Sequence, residues 1–141
     1  MPGVYDKMGI HFLYPENWTL DEEDAAGEAS VTVYSPGGAF WTISLHERSV
    51  DPKRLAETAL DSLKAVYEEF EAEPVTETVA GRELTGYDAN FYCLDLTNTA
   101  QIRAFRNSVA SCIILSQAED RELVTAEPVF RAITTSLVRE K

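Results

Sequence analysis

The sequence predicts an α+β fold in which an antiparallel β-sheet is flanked by helices, as an α/β/α sandwich. Short β-favouring segments precede and follow one amphipathic helix, and a second amphipathic segment closes the chain. The regular alternation of strands and helices that marks a parallel sheet is missing from the pattern. The 141 residues are the usual size of one domain with one core, so we predict a single domain over residues 1–141.

The first strand is predicted over residues 9–14, which are almost all apolar and β-favouring. Pro15 lacks an amide hydrogen and ends this strand. Trp18 begins a short stretch that can pair briefly and is expected to close one end of the core. The segment 21–27, with four acidic residues followed by Ala-Ala-Gly, then predicts a solvated loop.

A β-hairpin is predicted over residues 30–45. Its strands are rich in Val, Ile, Thr and aromatic residues, and Ser35-Pro-Gly-Gly38 supplies the turn. Because side chains alternate along a strand, Trp41, Ile43 and Leu45 share a face, which we expect to point into the core.

The clearest helix is predicted to begin after Asp51, which can cap it, with Pro52 in its first turn. Pro74 limits its far end, because the residue before a proline disfavours helix. Its apolar residues recur at helical spacing and predict a stripe that packs on the sheet: Leu55, Ala59, Leu60, Leu63, Val66, Tyr67 and Phe70.

The second half of the chain predicts a meander and a closing helix. We expect turns at residues 80–82 and at Asn98, and a bulge near Gly86. The predicted strands are residues 73–79, 83–96, 101–109 and 111–116, the first at a sheet edge and the last, with its run Cys112-Ile-Ile-Leu115, covered on both faces. The helix starts near Ala118, is broken or kinked at Pro128, and carries an apolar stripe of Val129, Phe130, Ile133 and Leu137.

The charge excludes several classes of partner. Twenty-four acidic and 12 basic residues give a formal charge of -12, which would repel nucleic acid and anionic lipid. No apolar run approaches the roughly twenty residues of a spanning helix. The first residues do not have the pattern of a secretion signal, so we expect a cytoplasmic protein. Cys93 and Cys112 are then expected to be reduced core residues, with a disulfide between neighbouring strands as the alternative.

Several segments together resemble the PsbP-like superfamily. The likeness rests on Ile10-His-Phe-Leu-Tyr-Pro-Glu-Asn-Trp18, on Phe40-Trp-Thr-Ile-Ser-Leu45, on the helix after Asp51, and on the terminal pattern Phe130, Ile133, Ser136 and Leu137. The resemblance implies an antiparallel sheet in an α/β/α sandwich. Its members are mostly binding proteins, among them photosystem II extrinsic subunits, a Ran-binding import factor, DcrB-like bacterial proteins and chaperone-like adaptors.

No motif of catalysis or metal binding stands out. His11 and His46 have no further ligand at zinc spacing, and no Gly-x-Ser-x-Gly motif occurs. The acidic runs at residues 21–24 and 68–73 lack the spacing of a calcium loop. We therefore expect no metal, no cofactor and no enzymatic activity.

The remaining candidate is a binding surface. On the strand face opposite the predicted core we expect a mixed aromatic and polar surface of Tyr34, Phe40, Tyr92, Arg103 and Phe105. The leading hypothesis is a non-enzymatic cytosolic protein-binding, adaptor or chaperone-like domain, whose partner is another protein or a second copy of the chain. The alternatives are a small-molecule-binding protein or enzyme with a pocket between the sheet and the helix after Asp51, and a structural subunit of a larger assembly.

Overall fold

The predicted α+β sandwich is confirmed by the structure, a computed structural model that describes residues 2–25 and 28–139. The elements are β1 Gly3–Lys7, β2 Ile10–Tyr14, β3 Thr19–Ala25, β4 Glu28–Tyr34, β5 Phe40–His46, α1 Pro52–Val66, β6 Glu68–Val79, β7 Arg82–Cys93, β8 Leu96–Arg106, β9 Ser111–Glu119 and α2 Asp120–Arg139. An antiparallel sheet has the strand order β3-β4-β5-β9-β8-β7-β6, and β1 pairs with β2 in a separate ribbon. Helix α2 and the ribbon pack on one face of the sheet, and α1 packs on the other.

The ribbon contains the strand predicted before Pro15, and β2 ends at Tyr14 as predicted. Strand β1 was not predicted, because its five residues contain only two that favour strands. Phe12 joins the ribbon to the main core, with its ring 5.2 Å from that of Tyr5 and 4.9 Å from that of Trp41. The Tyr5 hydroxyl also donates to Glu22 of β3 at 2.8 Å.

The acidic segment predicted as a loop is a strand instead. Residues 19–25 form β3, which pairs with β4 from Thr19↔Tyr34 to Ala25↔Glu28. Its carboxylates remain exposed, so the segment pairs as an edge strand while its charges stay in contact with water. Ala26 and Gly27, which complete the predicted loop, lie outside the described residues.

The predicted hairpin is confirmed as β4 and β5. Trp41 and Ile43 are fully buried, and Leu45 packs against the same core. Trp18 is also buried, edge-on to Phe130 of α2 at 6.1 Å, as expected for a residue that closes the core.

Helix α1 begins as predicted but ends earlier. Asp51 accepts a hydrogen bond from the Lys53 amide at 3.0 Å, and Pro52 is the first helical residue. The helix stops at Val66, so the prediction that it includes Tyr67 and Phe70 is wrong. The rings of those two residues instead stack on Phe91 of β7, 4.2 and 5.7 Å away, which favours the extended chain over another helical turn.

The meander is confirmed, with two local corrections. Pairing between β7 and β8 is continuous from Thr85↔Ala104 to Cys93↔Leu96, so the bulge predicted at Gly86 is wrong. The irregularity lies between Glu68 and Glu71 of β6. The second turn lies at Leu94 and Asp95, whose φ angles are 54° and 65°, and Asn98 is within β8.

Strand β9 is covered on both faces, as predicted. Cys112 and Ile114 pack towards α2, while Ile113 and Leu115 pack towards α1. Helix α2 runs through Pro128, so the first of the two predicted outcomes, a break, is wrong, and the second, a kink, stays a prediction. Pro128 lies on the exposed side, where its ring meets solvent. In the described part of the chain neither helix is long and apolar enough to span a bilayer.

Candidate functional site

The five residues predicted to form one sheet surface lie on two faces. Tyr34 and Phe40 are adjacent, with ring centroids 6.4 Å apart, on the part of the α1 face that α1 leaves uncovered. Arg103 and Phe105 are buried on the α2 face. Tyr92 is exposed on that same face, since it alternates with Phe91 of the α1 core. The predicted common surface is therefore wrong, and binding by Tyr34 and Phe40 stays a prediction.

Arg103 is engaged within the protein. Its Nε pairs with a Glu77 carboxylate oxygen, and its Nη1 lies 2.9 Å from Asp88 Oδ1. The same Nη1 donates to the Ile102 carbonyl at 2.9 Å. The guanidinium thus links β6, β7 and β8 below α2, and it has a structural role that removes it from the predicted surface.

The alternative pocket between α1 and the sheet is occupied by side chains. Ala56 of α1 and Ile102 and Ala104 of β8 are buried there, with Leu60 and Leu63 packed against them. A ligand could enter only by displacing this apolar layer.

The histidines and cysteines do not assemble a reactive centre in residues 2–25 and 28–139, where no three His, Cys, Asp or Glu side chains converge. His46 lies 3.3 Å from a Glu28 carboxylate oxygen. Cys112 and Cys93 pack on opposite faces of the sheet, which rules out the alternative disulfide. Burial raises the pKa of the Cys112 thiol to about 12, so this thiol is protonated at neutral pH and is a poor nucleophile.

An apolar groove of about 400 Å³ lies between the end of β2 and the outer side of α2. Two prolines shape its ends: Pro15 turns the chain away from β2, and Pro128 places an exposed ring on α2. The apolar groove is lined by Pro2, Leu13, Tyr14, Pro15, Pro128, Val129, Ala132, Ile133 and Ser136.

Two polar groups of the apolar groove, the Leu13 amide and the Ser136 hydroxyl, are already paired. The Leu13 amide donates to Ser136 Oγ at 3.0 Å, and the Ser136 hydroxyl donates to the Ile133 carbonyl at 2.7 Å. Tyr14 is the only titratable side chain in the lining. The described lining is therefore mainly apolar and contains no carboxylate, histidine, lysine or cysteine side chain.

The apolar surface extends beyond the groove along α2. Val124 is 78% exposed and lies one helical turn before Pro128, which in turn lies one turn before Ala132. These three residues form a second apolar stripe, opposite the buried stripe of Phe130 and Ile133. We call this exposed set the outer stripe.

The apolar groove lies on electrically balanced elements of an acidic protein. Helix α2 carries three acids, Asp120, Glu122 and Glu127, and three arginines, Arg121, Arg131 and Arg139. The acid excess is concentrated elsewhere, for example in the run Asp21-Glu-Glu-Asp24 of β3 and the glutamates of β6. Apolar contact at the groove is therefore not opposed by a local excess of one charge.

The sequence reasoning missed the apolar groove because two of its parts were predicted differently. Without β1, the strand ending at Tyr14 had no partner to support an exposed Leu13. With a break at Pro128, the outer stripe could not be seen as one helical face. The available signal for an exposed helical face was the four-residue spacing of Val124, Pro128 and Ala132.

Comparison with known proteins identifies the fold. No family model matches the sequence, and no curated protein matches it. Among solved structures, PsbP from the cyanobacterium Synechocystis is similar with a TM-score of 0.62 at 15% identity, over 96% of this chain and 90% of that chain. This chain has a PsbP-like fold. The resemblance inferred from the strand before Trp18 and from the terminal helix is confirmed at this level.

Two further solved structures share the PsbP-like fold and are described in different terms. PA94 of Pseudomonas aeruginosa, a protein of unknown function named as a candidate regulator, has a TM-score of 0.57 at 14% identity and covers 99% of this chain and 98% of its own. LpqN of Mycobacterium tuberculosis, involved in cell envelope biogenesis, has a TM-score of 0.52 at 15% identity and covers 94% and 86%. At such identities the likeness gives the fold alone, so a function for this PsbP-like chain must come from its own surface.

Proposed function

We propose that the protein is a non-enzymatic binding protein whose apolar groove holds an apolar segment of a basic partner protein. The observation that carries this proposal is an open apolar groove, continuous with the outer stripe, in which the Leu13 amide and the Ser136 hydroxyl are already hydrogen bonded. Exposed apolar surface of this kind is typical of a contact site.

The shape favours a protein segment over a small molecule. Small-molecule sites enclose most of their ligand and place a few unpaired polar groups to orient it, whereas Leu13 and Ser136 here satisfy each other. The outer stripe and the groove run from Val124 to Ser136, about 18 Å of helix. That length matches three turns of an apposed helix, a common mode of peptide recognition.

The charge favours a basic partner over a second copy. The formal charge of -12 attracts a cationic protein at long range and opposes the approach of an identical chain. At short range the balanced charges of α2 permit apolar contact. We therefore propose that the acidic strands β3 and β6 attract the basic partner at long range, and that the apolar groove makes the contact.

A pair of synthetic peptides tests this proposal. The first is amphipathic, about three helical turns long, with leucines on one face and lysines on the other; the second replaces every leucine with serine. We expect the leucine peptide to bind with a dissociation constant of about 10–100 μM and the serine peptide at least about tenfold more weakly. Fluorescence polarisation of labelled peptide measures both affinities.

Two matched variants separate the groove from general electrostatics. Ala132→Glu places a carboxylate beside the apolar groove, and Val66→Glu places one on α1, where Val66 is 71% exposed. Both variants gain the same charge, but only Ala132→Glu should weaken the leucine peptide, by about tenfold. Equal affinity for both peptides, or an unchanged affinity of Ala132→Glu, would overturn the proposal. Self-association that Ala132→Glu abolishes would make a second copy the occupant instead.

The predicted cytoplasmic location stays a prediction.

A further inference from the structure

A second cavity, of about 330 Å³, lies at the opposite end of the ribbon from the apolar groove. It is bounded by the turn between β1 and β2, the start of β7, the end of β8 and the last turns of α2. Its polar lining side chains are Asp6, His11, Arg82 and Asn107, and its apolar ones include Ile10, Phe105 and Leu137. We refer to it as the Arg82 cavity.

Among the residues that the structure describes, Arg82 carries a half-buried charge without a carboxylate partner. Its Nη1 donates to the Arg106 carbonyl, and its guanidinium lies 5.6 Å from the centroid of the Phe105 ring. Within the described residues no acid lies in ion-pair range of Arg82, although the chain contains 24 acids. Partly buried charges are ordinarily paired. A guanidinium has five N–H donors, and among the described residues Arg82 donates one hydrogen bond.

Asn107 is held in place by its own loop. Its Oδ1 accepts from the amides of Val109 and Ala110, both at 2.7 Å, and its carbonyl accepts from Arg48 Nε at 2.8 Å. These bonds fix the side-chain oxygen, and Nδ2 donates to no acceptor among the described residues. Within that part of the chain, Arg82 and Asn107 therefore bring donors that lack a protein acceptor to one cavity.

We propose that the Arg82 cavity binds a small organic carboxylate with an apolar body. The guanidinium and the Asn107 amide are the kinds of donor that a carboxylate accepts, and the aliphatic and aromatic lining accommodates a short hydrocarbon chain. Asp6 also lines the cavity, and its carboxylate repels a phosphate dianion more strongly than a monocarboxylate, which favours the monocarboxylate. This site is separate from the apolar groove and does not depend on its proposed partner.

Titration with 4-methylpentanoate, with inorganic phosphate as the comparison anion, tests this proposal. We expect a dissociation constant of about 1 mM for the carboxylate and a shift of the Arg82 Nε–Hε signal in nitrogen–proton spectra. Arg82→Gln should weaken binding at least fivefold, Arg82→Lys should weaken it less, and Arg54→Gln, on the exposed side of α1, should leave it unchanged. No saturable binding, phosphate binding as tight as the carboxylate, or full affinity in Arg82→Gln would overturn the proposal. If Arg82→Gln does not fold, the wild-type Nε–Hε signal decides: a signal that stays fixed during titration overturns it.

Discussion

Replacement of Trp41 with alanine is expected to lower the free energy of unfolding by about 3–5 kcal/mol. Trp41 is fully buried and lies where three elements meet. Its ring contacts Phe12 of the ribbon at 4.9 Å, and its Nε1 donates to Thr134 Oγ1 of α2 at 2.9 Å. The substitution removes both the apolar volume and the bond, and the surrounding β-structure can collapse only partly into the space.

Urea denaturation followed by circular dichroism measures this effect. The midpoint should fall while the dependence on urea stays similar, because the exposed surface changes little. Thr134→Val is the control for the hydrogen bond alone and should cost about 1 kcal/mol. A loss below about 1 kcal/mol for Trp41→Ala would contradict the position of the ribbon against β5.

Gly86→Ala is expected to be the second severe change, with a loss of about 3 kcal/mol or more. An added Cβ at Gly86 would overlap the Ile102 carbonyl oxygen and crowd the backbone of Arg103. These are main-chain atoms of the neighbouring strand, so β7 and β8 must separate locally to admit a methyl group. The separation would also disturb Arg103, whose Nη1 donates to that same carbonyl.

Gly81→Ala provides the matched control. Gly81 has a φ of 83° in the turn before β7, and nothing lies within 4 Å of an added Cβ. Gly81→Ala should lower the free energy of unfolding only through the strain of a positive φ, by about 1–2 kcal/mol. Thermal unfolding of both variants should therefore rank Gly86→Ala as the less stable, and the reverse order would show that β7 and β8 do not approach as closely as described here.

Local sequence signals predicted most of the fold. The hairpin around Ser35-Pro-Gly-Gly38 and the cap at Asp51 act within a few residues, so propensity and turn chemistry are sufficient. Their side-chain alternation also placed Trp41 and Ile43 correctly in the core. The adjacency of Tyr34 and Phe40 follows from the same hairpin, because the two residues face each other across it.

The incorrect predictions concern segments whose conformation or sheet face is decided by contacts with residues far away in the sequence. The rings of Tyr67 and Phe70 fit a helical stripe, yet stacking on Phe91 holds them in extended chain. Arg103 and Phe105 were assigned to the wrong face because the register of β8 against β7 and β9 cannot be read from one strand, and a shift of one residue reverses every side chain.

The candidate site was harder to predict than the fold for the same reason. The apolar groove requires Leu13 of the ribbon and Ala132 of α2, which are far apart in sequence and meet only after both elements dock. The Arg82 cavity likewise joins the β1–β2 turn to residues of β7 and α2. Each wall of these two sites has an ordinary sequence. The site itself exists only where the two walls meet in the folded chain.

The most direct test of the proposed binding surface is a map of amide chemical-shift changes as the leucine and lysine peptide is added to the labelled protein. The account predicts that the largest changes occur at the apolar groove, at Leu13, Ala132 and Ser136, and that Ala132→Glu suppresses them. Changes centred instead on Tyr34 and Phe40 of the uncovered sheet face, or spread over the acidic strands β3 and β6 without the groove, would contradict this prediction.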